Sequence, residues 1–270
     1  MLTFGFIGTG NMGGALARAA RKRLDGGQLL LANRTAVKAE ALAAELGAQT
    51  VDNQTAAAQA TYLFLGVKPQ MMAEMLSDIA PVLAARKDRF FLVPMAAGLT
   101  IADIQRQAGG AYPVIRIMPN TPSSIGEGMI LYTCGDGVTK EEEQTFLDAM
   151  SGAGKLAPLP ERLIDAGSSV AGCGPAFVDL FIEALADGGV ACGLPRDKAM
   201  TYAAQTLMGA AELVLESSSH PGALKDAVCS PGGSTIQGVR ALEMGGFRST
   251  AMEAVLAAYE KTRELGKKED

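Results

Sequence analysis

Short apolar runs alternate with helical spacing through the first half of the chain. Leu2 to Ile7, Gln28 to Ala32, Tyr62 to Leu65, Phe90 to Val93 and Val114 to Ile117 are each short runs bounded by Gly, Pro or charge. Such continuous apolar runs are the mark of strands buried on both faces. Between the first two, Asn11 to Leu24 carries a helical period that stops at Asp25-Gly26-Gly27, and the Ala-rich stretch Thr35 to Leu46 is a second helix closed by Gly47. Strand, helix, strand is the order of parallel βαβ units. Residues 1–160 are therefore expected to form an α/β domain with a doubly wound parallel sheet. Met129 to Thr133 is expected to add an edge strand, Lys140 to Met150 a helix, and Lys155 to Pro158 a short closing segment.

From about residue 161 the strand signal ends. Helices are predicted at Arg162 to Val170, Pro175 to Ala191, Arg196 to Ser217, Ser234 to Met244 and Phe247 to Leu265, so residues 161–270 form an all-α C-terminal domain. Pro175 and Pro195 suit first turns, where a missing N–H costs nothing. Several of these helices are apolar on more than one face, Ala203 to Leu215 above all, which is more than a domain of this size hides alone. A homodimer that buries them is expected, a higher oligomer being left open. The chain closes on a charged Lys267-Lys268-Glu269-Asp270 tail.

Composition narrows the partners. Lys and Arg number 24 against 29 Asp and Glu, a net charge of −5, without the basic excess that nucleic-acid binding needs. No uninterrupted apolar run approaches the roughly 20 residues that span a bilayer, and residues 1–10 read as a strand entering a glycine turn instead of a leader. A cytoplasmic protein with a small-molecule substrate is expected, with no membrane partner. Cys134, Cys173, Cys192 and Cys229 are scattered without a CxxC pair, so a disulfide or metal framework has no support. His220 is the sole histidine and sits in a Ser-Ser-Ser-His-Pro-Gly turn, which argues against a Ser-His-Asp triad or a His-rich metal site.

The chemistry begins at Ile7-Gly8-Thr9-Gly10-Asn11-Met12-Gly13, a glycine loop that follows a strand and opens a helix. In that setting it is a dinucleotide-binding fingerprint of the Rossmann type. Gly8 and Gly10 permit the tight turn and a close approach to a pyrophosphate, which free N–H groups at the helix start attract. Gly13 lets the helix lie close to the sheet. At the end of the second strand, where an NAD enzyme usually places an acid for the ribose 2′-OH, this chain has Asn33-Arg34-Thr35. Arginine offers a permanent charge and a fixed fork of donors for a 2′-phosphate, with Asn33 and Thr35 as further hydrogen-bond partners. NADPH is thus favoured as cofactor, with NADH possible.

Four further segments give the chain a resemblance. Gly66-Val67-Lys68-Pro69, Arg116-Ile117-Met118-Pro119-Asn120-Thr121-Pro122, Gly172-Cys173-Gly174-Pro175-Ala176 and Ser230-Pro231-Gly232-Gly233-Ser234-Thr235 stand in this order. With the glycine loop, they resemble the pyrroline-5-carboxylate reductases over nearly the whole length. The resemblance implies reduction of a cyclic imine by NADPH to give proline, in dimers built on the helical domain. It implies that Ser230, Gly232, Gly233, Ser234 and Thr235 hold the substrate carboxylate, with Thr235 on the ring nitrogen as the catalytic contact; a structural N-cap would use the same residue types. It places Val67, Lys68 and Pro69, and Ala96, Ala97 and Gly98, along the nicotinamide, with Asn53 near the adenosine. Lys68 beside Pro69 suits a backbone or cofactor contact better than a catalytic acid. Glu161 matches a family position near the site and equally suits a helix-capping surface residue.

Two other classes compete. A 3-hydroxyacid dehydrogenase pairs a similar first half with helices, yet needs a lysine where this chain has Val178, so an alcohol would lack its proton-transfer partner. A non-catalytic NADP-binding protein would keep the glycine loop but has no use for the Ser230 to Thr235 turn.

Overall fold

Each early apolar run folds as a strand sandwiched between helices. The computed structural model describes residues 2–265; the charged tail from Lys267 lies outside them. Its first part runs β1 (Phe4–Ile7), α1 (Asn11–Arg21), β2 (Leu29–Ala32), α2 (Ala36–Leu46), β3 (Gln49–Thr50), α3 (Asn53–Gln59), β4 (Tyr62–Leu65), α4 (Pro69–Ala85), β5 (Phe91–Pro94) and α5 (Ile101–Ala108). The five strands are parallel, in the spatial order β3-β2-β1-β4-β5. After α5 come β6 (Ile115–Met118), β7 (Gly128–Cys134), α6 (Lys140–Met150), β8 (Gly154–Pro158) and α7 (Ile164–Ala171).

Alternation along the strands sorts their side chains onto two cores. Phe4, Phe6, Tyr62, Phe64, Phe91 and Val93 pack with α1, α2 and α6. Ile7, Leu63, Leu65 and Leu92 pack with α3, α4 and α5. The few aromatic residues concentrate on the first face: Phe6 stacks on Phe64 with centroids 4.4 Å apart, Tyr62 stacks on Phe91 at 4.7 Å, and Phe146 of α6 closes over Tyr62 and Phe64. Such pairs add attraction beyond the area they bury.

The expectation of an edge strand at Met129–Thr133 is corrected. β7 is the middle of a second, three-stranded sheet, antiparallel to β6 with Ile117 opposite Tyr132, and parallel to β8 with Ile130 opposite Leu156. Its residues Ile130, Leu131 and Tyr132 are all buried, whereas β8, the expected closing segment, has exposed Lys155 and Pro158 and forms the edge. A parallel bridge between Leu92 and Val114 links the two sheets, with the Leu92 N–H donating to the Pro113 carbonyl at 2.9 Å.

Contacts divide the chain into one compact unit of residues up to Cys173 plus those from Ala258, and a second of Gly174–Ala257. The division falls one helix later than residue 160. The reason is α7, whose Ile164 is fully buried against Met118 and Leu131.

The second unit is α8 (Gly174–Ala191), α9 (Arg196–Glu216), α10 (Pro221–Ala227), α11 (Ser234–Met244) and most of α12 (Phe247–Leu265). Pro175 sits in the first turn of α8 as expected, and Pro195 one place earlier, at the N-cap of α9. Ala186, Ala199 and Ala203 are the buried apolar cluster of this unit among the described residues. Leu180, Tyr202, Met208, Leu215, Met244 and Met252 are each more than half exposed. The stretch Glu161–Ala191 is even long and apolar enough to cross a membrane, although little of it is buried. That much uncovered apolar surface marks an interaction face.

One ion pair on the first unit gives a pH test. Arg89 donates two bonds to Glu142 of α6, at 2.7 and 2.8 Å, and the Thr139 N–H donates a third at 2.8 Å. Chiefly through Arg89, the Glu142 carboxyl falls from its ordinary 4.5 to about 2. A carboxylate depressed in the folded state stabilises it above the unfolded pKa, and that contribution is lost as pH falls through the folded one. Glu142→Gln is expected to cost less than about 1 kcal/mol at neutral pH, as partly exposed pairs do. In denaturant titrations, the gap to the wild type should close between pH 4.5 and about 2; a gap unchanged at the acid end would rule out the carboxylate charge as its cause.

Candidate active site

The chain lays β1, β2 and β3 to one side and then crosses back to place β4 on the other flank of β1. The loops that leave β1 and β4 therefore diverge and open a crevice at the carboxyl ends of the strands, the usual ligand position in such sheets. Here the two backbones touch. Gly8 has a positive φ of 94°, and a Cβ on it would lie 2.7 Å from the Gly66 carbonyl, while one on Gly66 would lie 2.6 Å from the Gly8 oxygen. Gly13 is as tightly set, since its Cβ would stand 2.1 Å from that same oxygen. Gly66 was not among the expected site residues, yet its place directly after an apolar run and before Val-Lys-Pro is a readable signal.

Gly10 is the N-cap of α1, and a Cβ on it would meet nothing within 4 Å. The first turn of α1 has no acidic residue and no side-chain cap. The opening N–H groups of a helix lack intrahelical partners and carry the positive end of its dipole. They therefore make an anion ledge. Thr9 is buried with its hydroxyl unpartnered among the described residues, beside a backbone whose N–H donates to Asn33 Oδ1 at 3.2 Å. These features fit the pyrophosphate of a dinucleotide.

At the end of β2, the Asn33 side chain is already engaged. It accepts from Thr9 and donates to the Thr35 carbonyl at 3.1 Å, so it braces the glycine loop against the turn into α2. Arg34 is exposed and, among the described residues, forms no ion pair. By contrast, Arg18 on the neighbouring helix is tied up by Glu45 at 2.6 Å. Asn53 begins α3 beneath Asp52, whose carboxylate caps the Thr55 N–H.

The remaining expected contacts of the first half line the same strand ends. Val67 and Lys68 lead into α4, where Lys68 is the N-cap through its backbone, its side chain is exposed, and Pro69 occupies the first turn. Ala96, Ala97 and Gly98 follow β5; Ala96 is buried, Ala97 packs beside Met118 and Ile164, and Gly98 takes a φ of 75°. Glu161 does more than cap a surface helix. Its carboxylate accepts from the Ile101 N–H at 2.7 Å and lies 3.4 Å from Arg116, which also donates to Asp165 at 2.7 Å.

In the second unit, Ser230 to Thr235 forms a turn into α11. The Gly233 N–H donates to the Ser230 carbonyl at 3.0 Å, Gly232 has a φ of 71°, and Gly233 itself is the N-cap without a side-chain cap bond. Ser234 and Thr235 therefore occupy the first two helical positions and are exposed. The hydroxyls of this turn are not spent on capping the helix. His220 caps α10, with Nδ1 accepting from the Gly222 N–H at 3.0 Å. The four cysteines are free, and among the described residues no cluster of His, Cys, Asp and Glu could hold a metal. Burial and the neighbouring Glu143 push the Cys134 thiol up to about 11, which makes it an inert core group.

Comparison with known proteins agrees with both halves. A family model described as pyrroline-5-carboxylate reductase dimerisation matches residues 161–265, and one described as NADP oxidoreductase, coenzyme F420-dependent, matches residues 3–96. The pyrroline-5-carboxylate reductase of Glycine max is 42% identical over 97% of this chain and 96% of its own length. That of Escherichia coli K12 is 40% identical over 97% and 98%. The crystal structure of Plasmodium falciparum pyrroline carboxylate reductase with NADP bound superposes with a TM-score of 0.88, at 30% identity over 98% of both chains. With likeness of this extent across the nucleotide crevice and the helical unit alike, the chain belongs to the pyrroline-5-carboxylate reductase family.

Proposed function

We propose that this protein reduces the C=N bond of 1-pyrroline-5-carboxylate to L-proline with NADPH, the last step of proline synthesis. Family membership carries that reading, and the observation of this chain that favours it is the uncapped Ser230 to Thr235 turn. Bound on the ledge of α1, NADPH would supply the hydride. The free N–H groups of Gly10, Asn11 and Met12 at the start of α1 would hold its pyrophosphate, on a turn shaped by Gly8 and Thr9 whose own N–H groups bond to Ala32 and Asn33, and Arg34 would hold its 2′-phosphate, with Asn33 bracing the loop. Asn53 lies toward the adenosine. Val67, Lys68, Pro69 and Ala96 to Gly98 line the nicotinamide side.

Ser230, Gly232, Gly233 and Ser234 receive the substrate carboxylate at a helix start, where backbone donors and the dipole favour an anion. Thr235 directs its hydroxyl to the ring nitrogen. Hydride addition to a protonated imine leaves a neutral amine, so no strong general acid is needed to quench an alkoxide. What these residues contribute is placement of the reacting atoms at about 3–3.5 Å. Val178 stands where the hydroxyacid dehydrogenases keep a lysine, which disfavours alcohol chemistry.

We assign nucleotide binding to residues 1–160, and substrate binding and dimerisation to 161–270, in a cytoplasmic homodimer. The exposed apolar helices and the dimerisation model over 161–265 support the self-association.

The purified protein should oxidise NADPH when given 1-pyrroline-5-carboxylate; turnover of a hydroxy or keto acid in its place would overturn the assignment. Arg34→Ala should raise the KM for NADPH about tenfold or more, the worth of a charge-assisted bond, and that for NADH little. Equal effects on both cofactors would remove the 2′-phosphate role. Thr235→Ala should lower kcat/KM for the imine about tenfold or more with NADPH affinity intact, and an unchanged rate would leave Thr235 without a catalytic part.

A further inference from the structure

Among the described residues Arg116 is the largest fully buried side chain, only 2% exposed, and it lies between two carboxylates. Asp165 alone would neutralise it. The second carboxylate, Glu161, leans away at 3.4 Å and makes its short bond, 2.7 Å, to the Ile101 N–H. Ile101 is the first residue of α5, whose N-cap Thr100 already serves the Asp103 N–H through a reciprocal capping box. A second side chain from 60 residues away is thus spent on this one helix start. At the other end of the same turn, Ala97 is packed into the cluster of Met118, Leu131 and Ile164. Between these fixed points lies Gly98 in its left-handed conformation. The turn from Ala96 to Ile101 is therefore pinned at both ends by β6, β7 and α7, and Arg116 and Glu161 are one of the two pins.

We propose that Glu161, oriented by Arg116, is a positioning residue for hydride transfer: its bond to the Ile101 N–H fixes the Ala96 to Gly98 turn and thereby the depth and tilt of the nicotinamide. This inference rests on the reading of that turn as the nicotinamide side of the site. Neither residue touches the reacting atoms. The carboxylate works through reach, whereas a purely structural partner of Arg116 would work through charge.

Two substitutions separate reach from charge, and in both Arg116 keeps Asp165. Glu161→Asp keeps the charge but withdraws the oxygen by one methylene; Glu161→Gln loses the charge but keeps an oxygen at the same reach. In the protein without cofactor, hydrogen exchange of the Ile101 amide should quicken about tenfold or more in Glu161→Asp and stay near wild type in Glu161→Gln. With the imine and NADPH, kcat should fall about tenfold or more in Glu161→Asp, with the KM for NADPH moved less than about threefold, and should be rescued in Glu161→Gln. The reverse ranking would make Glu161 a counter-charge only, and equal loss in both would show that an oxygen at the right reach does not suffice; either overturns the proposal. So would an unchanged kcat in Glu161→Asp. A nuclear Overhauser contact between the Ala97 methyl and the nicotinamide ring protons in the wild-type complex tells the two failures apart. Its absence would sink the reading of the turn itself, and its presence with unchanged kcat would sink the positioning role alone.

Discussion

At the carboxyl end of the sheet, the main chains of Gly8 and Gly66 meet with no room for a side-chain carbon on either. Because β1 and β4 are hydrogen-bonded neighbours whose exits diverge, this contact decides how narrowly the crevice begins and where the N-terminus of α1 stands. Gly13 then lets that helix settle onto the turn it has just left. A methyl group at any of the three would push the anion-binding end of α1 off the strands. The two cores, the sandwiching helices and the later loops all presuppose that closure. The remaining cofactor contacts follow as loops hung from the ends of successive parallel strands.

A second constraint runs across the sheet at β6. Every other strand residue in the first unit contributes apolar surface or backbone bonds, but Arg116 brings a charge into the interior and must be answered there. Buried ion pairs contribute little net stability against an apolar alternative, since desolvation offsets the attraction. What they contribute is orientation, and here the answering carboxylates come from the turn before α7, Glu161, and from its first turn, Asp165. The turn that follows β6 also reaches that helix at its far end, where Asn120 donates to the Ala171 carbonyl at 2.9 Å and accepts from the Met129 N–H. One motif, Arg116 to Pro122, thus grips both ends of a single helix.

Much of this was legible in the chain itself. Buried parallel strands announce themselves because both faces must be apolar, and a glycine loop between strand and helix has few other uses. The middle position of β7 was not legible, because a lone strand pattern carries no record of its neighbours. That α7 packs with the first unit was illegible for a related reason: Ile164 looks like any helical apolar residue until its partners Met118 and Leu131 are known. That the Asn33 amide is held between Thr9 and Thr35 shows only in the fold. Glu161 was ambiguous in the sequence, since a partner 60 residues distant leaves no local trace.

In the helical unit only three apolar side chains, Ala186, Ala199 and Ala203, are buried among the described residues. Association that covers its exposed apolar faces therefore stabilises the unit by mass action. Dilution then acts as a denaturant, and the melting point rises with protein concentration.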